Sequence, residues 1–321
     1  MTEILSITIP VYLIMIAGFT CVRTGYLDGA VITALSTFTV KVSLPALIFS
    51  AIALSDAETA LNWTLSGGYL LASMISMMIG YLVMRRGFAQ ARGASWIHGL
   101  GVANSNSGFI GYSIAALVFP EVALQVLAWI MIVENVVVIP FAIIAAEIAS
   151  GAGGGINAAA RKAGASFLRN PLVIAVALAL AVRSSGAPLP IEAVKVIEMI
   201  SSVAPVVALF VVGGIIARYN ISPMWRRTAA ITIGKLVLHP ALVFAVLTLL
   251  IDAGDPVVLT AVLIAAVPML SIYPILGAAH GAEQVCATAL VTTTLVSFLT
   301  VSALIWVISG CLSGSPSGIH F

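Results

Sequence analysis

The sequence predicts an all-helical integral membrane protein with ten transmembrane helices, arranged as two five-helix repeats of opposite orientation. Three observations support this prediction. Of the 321 residues, 61% are hydrophobic and only 8% are charged, and the mean hydropathy is +1.16. Apolar runs of about 20 residues, the length that crosses a bilayer as a helix, recur along the whole chain. The basic residues fall mostly in every second connection between these runs.

Ten apolar runs are candidate spans, numbered 1 to 10 in chain order. They lie at about residues 4–22, 30–54, 65–84, 95–118, 123–149, 171–185, 193–217, 228–251, 257–280 and 284–309. The first run has no basic residue before it and no small-residue cleavage site after it. It is therefore interpreted as span 1 rather than as a signal peptide.

The longest connection, residues 150–170, is rich in glycine and divides the chain into five spans plus five. Glycine-rich segments of this kind suit a flexible, here cytoplasmic, connector. We expect a first repeat at 1–149 and a second at 171–310. Because five is an odd number, the second repeat must cross the membrane in the opposite direction to the first.

The distribution of Lys and Arg predicts the orientation. Of the 14 basic residues, only Arg183 and Lys195 are assigned to the opposite side of the membrane from the main group, and Lys41 and Lys235 lie deep within spans. The others follow spans 1, 3, 5 and 7: Arg23, Arg85, Arg86, Arg92, Arg161, Lys162, Arg169, Arg218, Arg226 and Arg227. Since short cytoplasmic loops carry the excess of positive charge, both termini are predicted to lie outside the cytoplasm.

Several classes of function find no support in the sequence. A net charge of +2 is too small to indicate a nucleic-acid partner. The three cysteines are scattered without metal-ligating spacing, and the four histidines are far apart. Neither a phosphate-binding loop nor a His-Glu-x-x-His motif occurs. We therefore expect no enzymatic activity, no metal site and no cofactor.

Span 4 contains an element that is unsuited to a continuous helix. Four small or turn-prone polar residues at 104–107 are followed by Gly108 and Gly111, and all are poor helix formers. Unwound backbone at membrane depth is tolerated only where protein or a watery cavity shelters it. A broken helix of this kind indicates a substrate site in secondary transporters.

Span 9 contains a second such element, and the two halves of the chain match at a nearly constant offset. Pro268 and Pro274 flank residues 269–273 and predict a second break. Tyr112 in span 4 corresponds to Tyr273 in span 9, an offset of 161 (273 − 112). In the same way Pro45 of span 2 corresponds to Pro205 of span 7, an offset of 160 (205 − 45). Corresponding breaks in two inverted halves are typical of a transporter core.

The two breaks supply the candidate binding residues. Helix N-termini at unwound segments carry partial positive charge and favour an anion. The side chains and backbone that we expect around this anion belong to Asn104, Asn106, Ser107, Gly108, Tyr112, Ser113, Ser271 and Tyr273. The alternative is that these small residues only allow tight helix packing.

Ionisable residues within spans form a second set of candidates, because they seldom face lipid. Lys41 lies four residues before Pro45, where it either attracts an anion to the cavity or extends to a membrane surface. Glu134, in the middle of span 5, either exchanges a proton or holds a cation during transport, or is a structural carboxylate paired with Lys235. His280, at the end of span 9, is a further candidate for a proton relay.

Several motifs, in order and spacing, resemble the auxin efflux carrier family, which includes bacterial malonate and malate carriers and plant auxin exporters. The motifs are Ile9-Pro10-Val11, Arg23-Thr24-Gly25-Tyr26-Leu27, Val42-Ser43-Leu44-Pro45-Ala46-Leu47-Ile48-Phe49, Asn106-Ser107-Gly108-Phe109-Ile110-Gly111-Tyr112, Lys235-Leu236 with His239-Pro240, and the proline-broken span 9. The resemblance covers nearly the whole chain.

The resemblance implies a fold similar to sodium/proton antiporters and bile-acid symporters, in which broken spans 4 and 9 cross. It implies a scaffold domain from residues 1–54 and 171–219, which also forms a homodimer. It implies a transport domain from residues 65–149 and 227–309. Asn106 would contact the substrate carboxylate. The family often has proline after the break in span 4, whereas this chain has Ser113, so that break would depend on Gly108 and Gly111.

The sequence thus predicts a secondary active transporter in the lipid of a bacterial inner membrane. Its substrate would be a mono- or dicarboxylate such as malonate, malate or an auxin-like acid, moved by an elevator-type mechanism with H⁺ or Na⁺ as a candidate coupling ion. An anion channel, a solute sensor that does not transport, and a membrane-embedded enzyme are the alternatives. The enzyme lacks a recognisable nucleophile–base set.

Overall fold

The computed structural model describes residues 2–54, 62–151, 168–186, 189–219 and 224–313, where helices are joined by turns and irregular segments and no strand occurs. Most of the predicted connector at 150–170 lies outside the described residues. Each of the ten predicted spans contains helix. The α-helices of the described chain are α1 Thr2–Arg23, α2 Gly29–Phe38, α3 Leu44–Ala53, α4 Trp63–Leu82, α5 Arg92–Ala103, α6 Tyr112–Val118, α7 Pro120–Val133, α8 Ile139–Ala149, α9 Pro171–Ser185, α10 Ile191–Ser202, α11 Ala204–Ile216, α12 Trp225–Ile233, α13 His239–Leu247, α14 Pro256–Ala265, α15 Tyr273–Ala278 and α16 Glu283–Ser313.

Six helical segments of the described chain are long and apolar enough to cross a bilayer. They are Gly29–Ala53, Trp63–Gly87, Pro120–Ala149, Ile191–Ile216, Trp225–Leu247 and Glu283–Gly310. Shorter apolar helices lie at Thr8–Arg23, Pro171–Ser185 and Pro256–Ala265. The prediction of an all-helical integral membrane protein is therefore confirmed.

Proline residues account for three widened, π-helical turns within these segments. Each π segment begins six residues before a proline: Thr39–Ser43 before Pro45, Glu134–Val138 before Pro140, and Gly234–Leu238 before Pro240. Proline lacks an N–H group, and its ring clashes with the carbonyl four residues earlier, so a regular α-helix cannot continue through it. The extra residue in each turn accommodates the ring, and such bulges are frequent at functional sites. The ionisable residues Glu134 and Lys235 both lie in these bulges.

The helices pack as two groups. In the first group, which comprises α1–α3 and α9–α11, α1 packs along α11 and α3 packs against α9 and α10. In the second group, which comprises α4–α8 and α12–α16, α4 packs against α5 and α13, and α15 packs against α16. The groups meet where α11 contacts the π segment Ser107–Gly111, where α3 contacts α7, and where α1 contacts α16.

The contact between α1 and α16 includes a hydroxyl pair. The Tyr12 hydroxyl lies 2.9 Å from Ser297 Oγ. The ring of Tyr12 also meets Phe298 edge to face, with centroids 4.9 Å apart. One aromatic side chain of the first group is therefore held by both a polar and an apolar contact with the second.

Glycine residues allow the backbones of α1 and α11 to pack directly against each other. A methyl group on Gly213 would overlap the carbonyl oxygen of Met15, and one on Gly18 would overlap the carbonyl oxygen of Phe210. The two contacts are reciprocal, so each helix presents a glycine to the backbone of the other. Close packing through small residues is the usual basis of helix association in membranes.

We predict that Gly213→Ala destabilises the protein, because the new methyl group must push α1 away from α11. Overpacking of this kind costs roughly 1–3 kcal/mol. The measurement is the midpoint of thermal unfolding in detergent. Gly67→Ala in α4 is the matched control, since nothing lies within 4 Å of its added methyl group. Equal midpoints for the two variants would contradict this account of the α1–α11 contact.

Candidate functional site

The two breaks predicted in spans 4 and 9 lie against each other. Helix α5 ends at Ala103, and the chain becomes helical again only after Asn106, first as the π segment Ser107–Gly111 and then as α6. Helix α14 ends at Ala265, and α15 begins at Tyr273. The Asn106 amide N–H donates to the Pro268 carbonyl at 2.8 Å, and Asn106 Nδ2 donates to Ser271 Oγ at 2.8 Å. Backbone and side chain of one residue therefore join the two interruptions.

Glu134 accepts hydrogen bonds from both sides of Asn106. Its Oε1 accepts from the Ser105 backbone N–H at 3.1 Å and from the Tyr69 hydroxyl at 3.0 Å. Its Oε2 accepts from Ser107 Oγ at 2.7 Å. Glu134 is 2% exposed, so these three donors replace the water that a carboxylate would otherwise bind.

Lys235 performs the complementary role at the end of α14. Its Nζ donates to the Ala265 carbonyl at 2.7 Å and to Ser105 Oγ at 2.7 Å, and the side chain is fully buried. Ser105 therefore connects the ammonium group to the carboxylate: its backbone N–H donates to Glu134 and its hydroxyl accepts from Lys235. Glu134 and Lys235 are thus linked through a serine, an arrangement that fits both a structural pair and a carboxylate that exchanges a proton.

The two charges match the ends of the interrupted helices. The positive end of the helical run that begins at Ser107 is in contact with the Glu134 carboxylate, and the negative end of α14 is in contact with the Lys235 ammonium group. Each charge stabilises the partial charge of the helix end that it faces. The N-terminus that the sequence offered to an anion is consequently already occupied by a protein carboxylate.

Asn104 carries polar atoms that the protein does not use. It is 1% exposed, and neither its Nδ2 nor its Oδ1 has a hydrogen-bond partner. A buried amide without partners costs roughly 1–3 kcal/mol. An orphaned amide two residues from Asn106, inside an interrupted helix, is a polar group positioned for a ligand or for water.

Tyr273 is directed away from Asn106. Its hydroxyl lies 3.1 Å from His98 Nδ1, and its ring occupies the space that the absence of a side chain at Gly101 leaves open. Tyr273 and His98 are both fully buried. His98 is not among the residues predicted from the sequence, because a lone histidine in an apolar run gives no signal of its partner.

Other predicted residues of span 4 contact protein. Ser113 Oγ donates to the Phe109 carbonyl of its own helix at 2.7 Å. Gly108 lies against Leu44 and Met131, and Gly111 lies against Ile264. Tyr112 is half-buried. Gly108 therefore sits where the first group of helices, through Leu44, meets the break.

Two predicted ionisable residues lie apart from the break. Lys41 is exposed in the π segment Thr39–Ser43. His280 lies in the turn after α15, where its Nδ1 is 3.1 Å from Ser150 Oγ. Among the candidate ionisable residues of the described chain, Glu134 and Lys235 are those that reach the two breaks.

Comparison with known proteins agrees with a transport role. The chain matches the family described as "Membrane transport protein" over residues 4–306. It is also 29% identical, over 324 aligned positions, to a protein of Rhizobium meliloti (strain 1021) named "Putative malonate transporter". That alignment covers 97% of this chain and 98% of the relative.

We predict that Lys235→Met strongly destabilises the protein. The substitution leaves the Ala265 carbonyl without its donor and the Glu134 carboxylate without a nearby positive charge. Breaking a buried charged arrangement in this way costs roughly 3–5 kcal/mol. The measurement is thermal unfolding in detergent, with Lys195→Met as the control, because Lys195 is exposed on α10. If both variants unfold at the same temperature, Lys235 does not stabilise the break.

Proposed function

Because the chain belongs to the membrane transport protein family, the auxin efflux carrier family, we propose that it is a secondary carrier for a small organic anion. The observation that carries this proposal is the contact between two interrupted helices at Asn106. Unwound backbone inside a membrane protein costs free energy, because its peptide groups lack their helical hydrogen bonds. Carriers use such segments to bind solutes. The protein is accordingly a transporter rather than an enzyme.

The proposed substrate is a mono- or dicarboxylate, of which malonate is the first candidate. The name of the Rhizobium relative favours malonate. Asn106 supplies amide hydrogens, Asn104 supplies an amide without partners, and Ser271 supplies a hydroxyl at the half-buried edge of the break. Carboxylate oxygens accept several hydrogen bonds at once, which suits this set of donors.

The proposed movement is a displacement of the second helix group against the first. The first group corresponds to the scaffold at 1–54 and 171–219, and the second to the transport domain at 65–149 and 227–309. The break, Glu134 and Lys235 all belong to the second group and would move as a unit. Gly108 against Leu44 and the α3–α7 contact would form part of the sliding surface.

The same proposal includes the finer architecture. Ten spans would form two inverted five-helix repeats, as in sodium/proton antiporters. Pro45 and Pro205 are each the second residue of a helix, α3 and α11, which supports an equivalence between spans 2 and 7. The termini would lie outside the cytoplasm of a bacterial inner membrane, and the first group would form the contact of a homodimer.

We further propose that Glu134 couples transport to protons. Its carboxylate lies beside Asn106 and occupies the helix end that would otherwise attract an anion. Protonation of Glu134 would remove that negative charge and leave the charge of Lys235 unopposed. An anion would then bind more favourably, because the site would carry a net positive charge.

We predict that Asn106→Ala weakens carboxylate binding, since the substitution removes the amide donor at the break. The measurement is a thermal-shift screen of malonate, malate and aromatic acids on the purified protein. Losing one hydrogen bond to a charged group weakens binding by about 1.5–3 kcal/mol, or roughly 10- to 150-fold. The control is Gln125→Ala, which deletes a side-chain amide in α7 instead of the one at the break. Ligand shifts that survive Asn106→Ala unchanged would place the site elsewhere.

We predict that Glu134→Gln still allows exchange of solute across the membrane but prevents accumulation driven by a pH gradient. Glutamine retains hydrogen-bonding capacity but carries no titratable proton. The variant should exchange solute between compartments of equal pH and fail to accumulate it when a pH gradient is imposed. The measurement is uptake of labelled carboxylate into proteoliposomes. Accumulation that equals the wild type would eliminate Glu134 as the coupling group.

The same proteoliposomes test the alternatives to a carrier. Saturable counterflow is expected of a carrier. Single-channel currents would indicate an anion channel. Carboxylate binding without any flux would indicate a sensor.

A further inference from the structure

An apolar cavity lies between the two helix groups, away from the break. Its volume is about 200 Å³. The wall from the first group includes Ile48 of α3 and Leu172, Val176 and Leu180 of α9, and the wall from the second group includes Met131 and Val136. Along α9 the lining residues extend from Leu172 to Leu180, a rise of about 12 Å. The cavity is therefore elongated along a helix and open on one side.

Its lining does not suit water or an organic anion. Asn135 is the one polar residue of the lining, and its Nδ2 already donates to the Met131 carbonyl at 2.9 Å. A bound water needs two to four polar partners, and a carboxylate needs donors as well. A volume of about 200 Å³ is also too small for a further helix, whose diameter with side chains is about 10 Å. An occupant must be slender and apolar.

A basic residue lies close in sequence to the Leu172 end of the cavity lining. Arg169 precedes Leu172 by three residues and is exposed. Asn170 between them caps α9 by accepting from the Leu172 N–H at 2.9 Å. An arginine at a helix end beside an apolar slot has the chemistry to hold a phosphate while the slot holds a chain.

We propose that this cavity binds one acyl chain of a membrane phospholipid, whose phosphate lies at Arg169. The chain runs along α9 from Leu172 toward Leu180 and contacts both helix groups. Bound there, it opposes displacement of one group against the other. Only this last consequence rests on the proposed carrier function, because lipid binding itself requires no movement.

The test uses the full-length protein in liposomes that contain phosphatidylglycerol with a photoreactive diazirine in one acyl chain. After illumination, mass spectrometry should locate the adducts in residues 131–136 and 172–180. Val176→Trp fills the cavity and should lower this adduct yield by about fivefold or more, the scale on which overpacking acts. Arg169→Gln should also lower the yield, whereas Arg226→Gln, which removes another exposed arginine, should not.

The matched control for the tryptophan is Leu178→Trp. Leu178 is 56% exposed on the same helix and does not line the cavity. If Val176→Trp does not insert into the membrane, the smaller Ala177→Leu replaces it. Adducts spread evenly over the exposed helices, or equal yields for Val176→Trp and Leu178→Trp, would overturn the proposal by showing a lipid belt only. Malonate binding at Asn106 is measured separately, so either proposal can fail alone.

Discussion

Peptide groups that leave the helical form inside a bilayer must find every hydrogen-bond partner within the protein, because hydrocarbon offers none. This requirement explains the arrangement around Asn106. The N–H of Asn106 bonds the opposite break at Pro268, the N–H of Ser105 bonds Glu134, and the carbonyl of Ala265 accepts from Lys235. Each interruption is thus completed by groups that lie far away in the chain. The breaks can exist only because the surrounding helices hold these partners in place.

The same partners determine the electrostatics of the site. A buried carboxylate and a buried ammonium group face helix ends of opposite sign and share Ser105. While both groups are ionised, the negative charge of Glu134 and the positive charge of Lys235 compensate each other. The site therefore has no net charge when no solute is bound. A change of one proton disturbs this balance directly beside the amide of Asn106. In the carrier that we propose, the two side chains that stabilise the breaks would therefore also control binding.

Local sequence was sufficient to locate the helices and their interruptions. Local chain conformation depends on neighbouring residues, so it can be predicted from the sequence. This applies to the apolar runs, the weak helix formers at 104–107 and the prolines of span 9. The partners are a tertiary property, and sequence reasoning did not identify Tyr69 as a donor to Glu134 or His98 as the partner of Tyr273. The π-helical bulges were also missed, although the fixed six-residue distance from each proline could have indicated them.

The hydroxyl contact between Tyr12 and Ser297 has a consequence for any sliding of α16 along α1. A shift of one helical turn is about 5.4 Å and brings a residue three or four positions away opposite the tyrosine. In one direction that residue is Thr293 or Thr294, which again offers a hydroxyl. In the other direction that residue is Thr300, which also offers a hydroxyl, or Val301, which offers only methyl groups. A shift of one turn in either direction therefore brings a threonine hydroxyl toward Tyr12, so the contact between α1 and α16 keeps a polar partner either way.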